Sequence, residues 1–445
     1  MIHCFNINGK NLVLDVNSGA LHEVSREVVD ILNEMSEASG GSLFVVPENV
    51  PQDIANAIKT LINNQLLFTK DNPDEIFTHM NTREPVVKAL CLHMAHECNL
   101  RCRYCFAGQG DYGTDRGLMS AAIGKQAIDF LIDASGNRYN LEVDFFGGEP
   151  MLNFDVVKEV VAYGRMRERE AGKKFRFTLT TNGTLLTDEH IQYINETFDN
   201  VVLSLDGRKE INDYMRPLAG GGGSYDVIYP KIKKLADARM QRDYYVRGTY
   251  THHNTDFASD VMHLVHAGFK QLSIEPVVAP PEMDYATTEA DLPKIFSEYE
   301  KLALDLLAHE ADGDRAYFFH FEIDLDDGPC IAKRVTGCGA GSEYIAVTPH
   351  GNLYPCHQFV DDVRFKIGDV YGGVQNHALI SSFAQCHVYN KPECQACWAK
   401  YFCSGGCMAT AYHTNGDIMK PDHISCELQK KRIECALYMY ATRRE

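Results

Sequence analysis

Long hydrophobic runs are missing from this sequence. Nowhere do about eighteen apolar residues follow one another, which excludes a conventional membrane-spanning helix. The start, Met1-Ile2-His3-Cys4, has neither a basic n-region nor an apolar h-region, so a cytoplasmic protein is expected. Cations are scarce as well. Against 61 Asp and Glu stand only 43 Lys and Arg, a net charge of −18. This argues against a nucleic-acid role, which needs clustered cations to displace counterions from phosphates. An acidic surface suits a basic or neutral partner, or merely solubility. Low-complexity tracts are absent too. What is abundant is cysteine, with 15 residues in a chain read as cytoplasmic, where thiols are kept reduced. Metal or cluster ligation is therefore the leading explanation, provided the spacings agree.

At 445 residues the chain exceeds what one hydrophobic core usually supports, and the pattern divides it. Residues 1–75 alternate at His3 to Ile7 and Leu12 to Val16 around Asn8-Gly9 and Asn17-Ser18-Gly19, which reads as a small antiparallel ribbon. Helical patterns follow near Arg26 to Met35 and Asp53 to Asn63, making a winged-helix-like module. Over 85–290, apolar runs at Val87 to Met94, Leu141 to Phe146, Phe175 to Thr181, Val201 to Leu205, Tyr244 to Tyr250 and Gln271 to Pro276 alternate with amphipathic stretches of helical length. Six parallel strands with crossover helices predict an α/β unit, a partial (β/α)6 TIM barrel, with reactive groups at the C-terminal strand ends. A helical bridge occupies 291–329. Residues 330–445 hold the remaining dense cysteines and a closing helix after Cys426. The Gly220 to Gly223 run reads as a surface loop without chemistry.

Directly after the first barrel strand comes Cys98-Asn99-Leu100-Arg101-Cys102-Arg103-Tyr104-Cys105-Phe106. Three thiolates in one short loop can wrap three corners of a cubane cluster and leave one iron open. A zinc loop is the bland alternative. The C-x3-C-x2-C spacing, with an aromatic on each side of the last Cys, resembles the radical S-adenosylmethionine (SAM) superfamily. The resemblance implies that SAM chelates the open iron and is cleaved to a 5'-deoxyadenosyl radical. Gly147-Gly148-Glu149-Pro150, Thr181-Asn182, Ser204-Leu205-Asp206 and Arg216 follow successive strands. Relatives place such residues on SAM, so the resemblance implies cofactor contacts from Phe106, Gly147, Gly148, Glu149, Asn182, Ser204, Asp206 and Arg216.

The C-terminal cysteines Cys394, Cys397, Cys403 and Cys407 form C-x2-C-x5-C-x3-C between Cys338, Cys356 and Cys426. This closely resembles the SPASM extension, which implies two auxiliary 4Fe-4S clusters and three in all. By that pattern Cys394, Cys397, Cys403 and Cys426 hold the distal cluster, and Cys338, Cys356 and Cys407 the nearer one. The vacancy in the second set is open to Cys330 or to a substrate thiolate, whose pKa iron would lower. Zinc ribbons are again the alternative. Cys4, Cys91, Cys386 and Cys435 fit no ligand pattern and read as small buried hydrophobes.

Residues 1–75 resemble the PqqD-type recognition element of ribosomal-peptide maturases, which captures a precursor leader at a sheet edge. Across its length the chain is most similar to thioether-forming sactipeptide and ranthipeptide maturases, including those acting on SCIFF peptides. That implies a cysteine-rich precursor peptide and an external one-electron reductant as partners. Anaerobic sulfatase maturases are the nearest rival, but they carry an aspartate directly after the cysteine aligned with Cys356, where this chain has His357. His357 is the candidate catalytic residue; a cluster-adjacent imidazole without chemistry is its ordinary reading. A zinc-bearing, non-catalytic peptide-binding protein is the remaining reading.

Overall fold

The computed structural model describes residues 1–39, 44–74, 76–77, 86–113, 116–240, 242–325, 331–360 and 362–444. Cys330 and the expected boundaries near 75–85 and 330 lie outside them.

Three antiparallel strands open the chain: β1 (Ile2–Ile7), β2 (Lys10–Asp15) and β3 (Leu21–Val24), in the order β1-β2-β3. Asn8 and Gly9 both have positive φ, 50° and 80°, as the two-residue turn between Ile7 and Lys10 requires. The helices Arg26–Ser39 and Gln52–Asn63 follow. They pack Val29, Leu32, Met35 and Ile58 on Val13 of β2. The opposite face of β2 is also covered, because Leu12 joins the main core and Leu14 packs with Val335, Val388 and Leu437. The N-terminal unit is thus built into the body of the protein.

The barrel strands are β4 (Ala89–Ala95), β5 (Asn140–Gly147), β6 (Lys174–Thr181), β7 (Asn200–Ser204), β8 (Tyr245–Tyr250) and β9 (Gln271–Pro276), each parallel to the next. Helices Ala121–Ala134, Phe154–Ala171, Asp188–Thr197, Tyr225–Arg239 and Ala258–His266 connect them. Strand runs and crossovers agree with the sequence pattern. The sheet does not close. The outer edge of β9 takes the short parallel strand β10 (Tyr317–Phe318), and the outer edge of β4 takes β11 (Tyr344–Val347), also parallel. From β11 the sheet continues antiparallel through β12 (Asn352–Tyr354), β13 (Gly368–Asp369) and β14 (Gly373–Val374). Both barrel edges are therefore covered, which satisfies backbone groups that an open edge would expose.

The bridge is the helix Leu292–Ala311, packed on the closing helix His423–Thr442. That helix begins before Cys426, with the Asp422 side chain accepting from the Ser425 amide at 2.8 Å. Among the described residues, no helix is long and apolar enough to cross a membrane.

Candidate active site

A single cleft at the C-terminal strand ends gathers Cys98, Cys102, Cys105 and Phe106 from the loop after β4, Gly147 to Pro150 after β5, Asn182 after β6, and Ser204 and Arg216 around β7. Loop closure demands glycine at three places. A side chain on Gly110 (φ +94°) would put Cβ 2.7 Å from Cβ of Cys98. One on Gly147 (φ +119°) would reach the Ala95 carbonyl at 2.4 Å, and one on Gly148 the Glu97 carbonyl at 2.1 Å. The glycines at the end of β5 thus seat the backbone leading into Cys98.

The outer side of the loop is braced by the segment after Met215. Arg101 and Arg103 donate backbone bonds to Pro217 and Met215 at 2.8 Å, and Ala219 donates to Asn99 at 3.1 Å. The sequence reading gave the neighbouring glycine run no role. Gly220, Gly221 and Gly222 are indeed in open space, but Gly223 lies against the Asp213 carboxylate, where Cβ would sit 2.2 Å away.

Asn182 orients the loop from within. Its Nδ2 donates to Asn99 Oδ1 at 2.8 Å and approaches Cys98 Sγ at 3.7 Å. Glu149 is buried and accepts from the Met151 amide, the Thr181 hydroxyl and the Asn182 amide at 3.0, 2.8 and 2.8 Å. These bonds make it the clamp between the ends of β5 and β6. Asp206 differs from expectation. It is fully buried, is not among the residues lining the cleft, and accepts from Tyr104 at 2.8 Å and the Thr249 amide at 3.0 Å. A strand-end Asp-Gly is visible in sequence; that its carboxylate points inward depends on packing. Burial pushes its carboxyl up to about 6, against the opposing pull of Arg216.

Arg216 donates to Tyr104 Oη at 2.8 Å, yet its Nε is buried with no hydrogen-bond partner. Arg216 also pairs with Asp206 at 3.8 Å and lines the cleft beside the cysteine loop, where a guanidinium can receive an anionic group such as the carboxylate of SAM. Burial raises the thiols of Cys98 and Cys102 to about 11, with Arg216 opposing, so a metal would have to draw off their protons. Among the described residues no three His, Cys, Asp or Glu side chains converge on a single-ion site.

The C-terminal segment supplies the far wall of the cleft through His357 and Gln358. His357 Nδ1 lies 3.2 Å from the Tyr344 hydroxyl and 3.7 Å from Cys356 Sγ, with its ring against Phe146 and Phe106. Burial, then Arg247, lowers the imidazole to about 4. Hence it is neutral near pH 7 and lies inside the cleft.

The other cysteines fall into two neighbourhoods. Cys338 and Cys407 bear on Cys356, while Cys403, Cys394 and Cys397 bear on Cys426, whose thiol burial lifts to about 12. Cys91, Cys386 and Cys435 are buried, and Cys4 is half-buried. The sequence reading missed Arg247 and Glu275, which also line the cleft, and His93, buried and 3.1 Å from His96. None of them stands in a motif of recognisable spacing.

Six parallel strands with crossover helices, bearing three cysteines on the loop after the first of them, define an α/β fold with a cysteine-lined cleft at its strand ends. Residues 92–266 match the radical SAM superfamily model, and this segment is a radical SAM domain, a domain that implies SAM and a 4Fe-4S cluster. The radical SAM cyclopropyl synthase TigE of Paramaledivibacter caminithermalis is 22% identical over 93% of this chain and 89% of its own. The cysteine-type anaerobic sulfatase-maturating enzyme of Clostridium novyi is 26% identical over 76% and 91%. Solved structures of Streptococcus suis SuiB cover 95% of this chain and 98% of theirs. The one bound to S-adenosylmethionine has TM-score 0.54 at 15% identity, and the one bound to precursor peptide SuiA 0.55 at 16%.

Proposed function

We propose that this chain is a peptide maturase that forms intramolecular thioether crosslinks, cysteine sulfur to carbon, in a cysteine-rich precursor peptide. The observation that carries the reading is the trio Cys338, Cys356 and Cys407 beside the His357 wall of the radical SAM cleft. Three thiols, two of them on exposed residues, leave room for a fourth from a substrate cysteine. Cys330 competes for that place and lies outside the described residues. When bound, SAM and its cluster supply the radical that removes hydrogen from the acceptor carbon. The chain's own residues position the partners: Asn182 and Glu149 fix the cysteine loop, Arg216 receives the cofactor carboxylate, and Phe106 and Phe146 hold the His357 ring on the cleft wall.

The peptide class is supported by relatives. SuiB is solved with its precursor peptide SuiA, over nearly this whole length. We read residues 1–75 as a PqqD-type leader-binding element and 330–445 as a SPASM domain holding two further clusters. A second reading, formylglycine formation, draws on the likeness to the Clostridium novyi enzyme; neutral His357 beside Cys356 would then be the base.

The test is anaerobic incubation of reconstituted protein, SAM and reductant with a cysteine-rich peptide encoded beside the gene, scored by mass spectrometry. Loss of two hydrogens per crosslink, with the cysteine blocked to alkylation, supports the thioether. Oxidation that leaves no carbon-sulfur bond favours the second reading. Zinc in place of iron in the purified protein would end both.

A further inference from the structure

Lys391 is among the most buried cations of the molecule, 1% exposed, and among the described residues no carboxylate lies within salt-bridge distance of it. Its Nζ donates to the Gly405 carbonyl at 2.7 Å. An ammonium withdrawn from water with only neutral partners, the Gly405 carbonyl and the Cys386 thiol, is costly, and a negative charge nearby would compensate it. The titratable groups around it are thiols and the buried imidazole of His387. Its charge acts on Cys394, Cys403 and Cys386. Its backbone carbonyl caps the turn that carries Cys394, accepting from the Cys394 amide at 3.0 Å. Of the other charged groups, Glu393 and Asp417, which act on Cys394 and Cys386, are exposed, and Lys430, which acts on Cys426, is already paired with Glu427 at 2.7 Å.

The bond to Gly405 has a second effect. Gly405 and Gly406 take left-handed φ of +86° and +75°, and their backbones reach the Cys403 sulfur. Holding the Gly405 peptide by its oxygen fixes that turn and the donors it aims at the sulfur. Net charge and hydrogen bonds to sulfur are two of the levers that set cluster potential.

We propose that Lys391 tunes the distal auxiliary cluster, raising its reduction potential through its own charge and through the Gly405–Gly406 turn it holds. The inference rests on the reading that Cys394, Cys397, Cys403 and Cys426 carry a cluster. It makes Lys391 a positioning residue for electron transfer, with no contact to substrate.

The test is an EPR-monitored redox titration of full-length, reconstituted protein. The distal signal is identified as the one altered by Cys394→Ser. Lys391→Gln is expected to bind the wild-type iron, about twelve per chain, with that signal shifted to more negative potential. Lys391→Arg keeps the cation and is expected to stay near the wild-type value. An unshifted Lys391→Gln potential at full iron content overturns the proposal. If Lys391→Gln loses the cluster while Lys391→Arg retains it, a cation is needed to hold it, which supports the proposal. Loss in both variants makes the lysine a packing element and overturns it. Wild-type protein that never exceeds about eight irons refutes the three-cluster reading instead.

Discussion

The Tyr104 phenol is shared between Arg216, which donates to it at 2.8 Å, and Asp206, to which it donates at 2.8 Å. Because Tyr104 stands between Cys102 and Cys105, this pairing ties the cysteine loop to the end of β7. It also leaves Arg216 Nε unmatched. Arg216→Lys keeps a charge but loses the planar fork. We expect SAM affinity to fall about ten- to a hundredfold, the loss of a charge-assisted bond worth about 1.5–3 kcal/mol. Equilibrium binding of SAM to reconstituted protein at unchanged iron content measures this. Equal affinity in the variant would remove Arg216 from the SAM site.

Gly148 is the tightest point behind the loop, with the Glu97 carbonyl where a Cβ would sit. Gly148→Ala must push residue 97, and with it Cys98, out of place. Iron content is expected to drop by about four per chain, one cubane. Gly220→Ala, which meets nothing within 4 Å, is the control and should keep all of it.

The six barrel strands were legible because each is an apolar run closed by a turn, and β4 is buried along its whole length. The cysteine neighbourhoods follow spacing, since short separations bring thiols together on any loop. Other features have no local signature. The pairing of Tyr344 with Ala89 joins distant segments, so the C-terminal region looked like an appended domain although it extends the barrel sheet. In β2, the run Leu12-Val13-Leu14 is buried on both faces, which its reading as a strand of a small ribbon does not reveal. For that reason deletion of residues 1–75 would strip Leu12 from the main core and Asp71 from Lys400.

Lys400, 4% exposed, donates to Asp71 at 2.6 Å, and Tyr401 and Tyr389 bond the same carboxylate at 2.8 and 3.0 Å. This pair docks the N-terminal unit onto the helix that carries Cys403. Asp71→Asn leaves the ammonium facing a neutral amide. The expected cost is about 2 kcal/mol, below the roughly 3–5 kcal/mol of a fully buried broken pair because Asp71 is partly hydrated. A lowered thermal midpoint with normal SAM cleavage is the expected result. An unchanged midpoint would show that the interface is held by its apolar contacts alone.

Arg432 of the closing helix donates to Glu275 at 2.8 Å and to the Tyr299 hydroxyl at 2.9 Å, joining that helix to the end of β9 and the cleft. Burial would push the Glu275 carboxyl up, but Arg432, then His320 and Arg247, bring it down to about 2 from 4.5. A depressed carboxyl contributes stability that is complete above its unfolded value and is lost as pH falls toward the folded one. Arg432→Met strands the carboxylate and is expected to destabilise by about 3–5 kcal/mol. With Arg432 gone, burial is left to raise the Glu275 carboxyl, so the gap in unfolding midpoint between wild type and variant is expected to be widest near pH 8 and to narrow toward pH 5 as the variant alone takes up a proton. A gap that stays constant from pH 8 to pH 5 would show that His320 and Arg247 hold Glu275 ionised without Arg432.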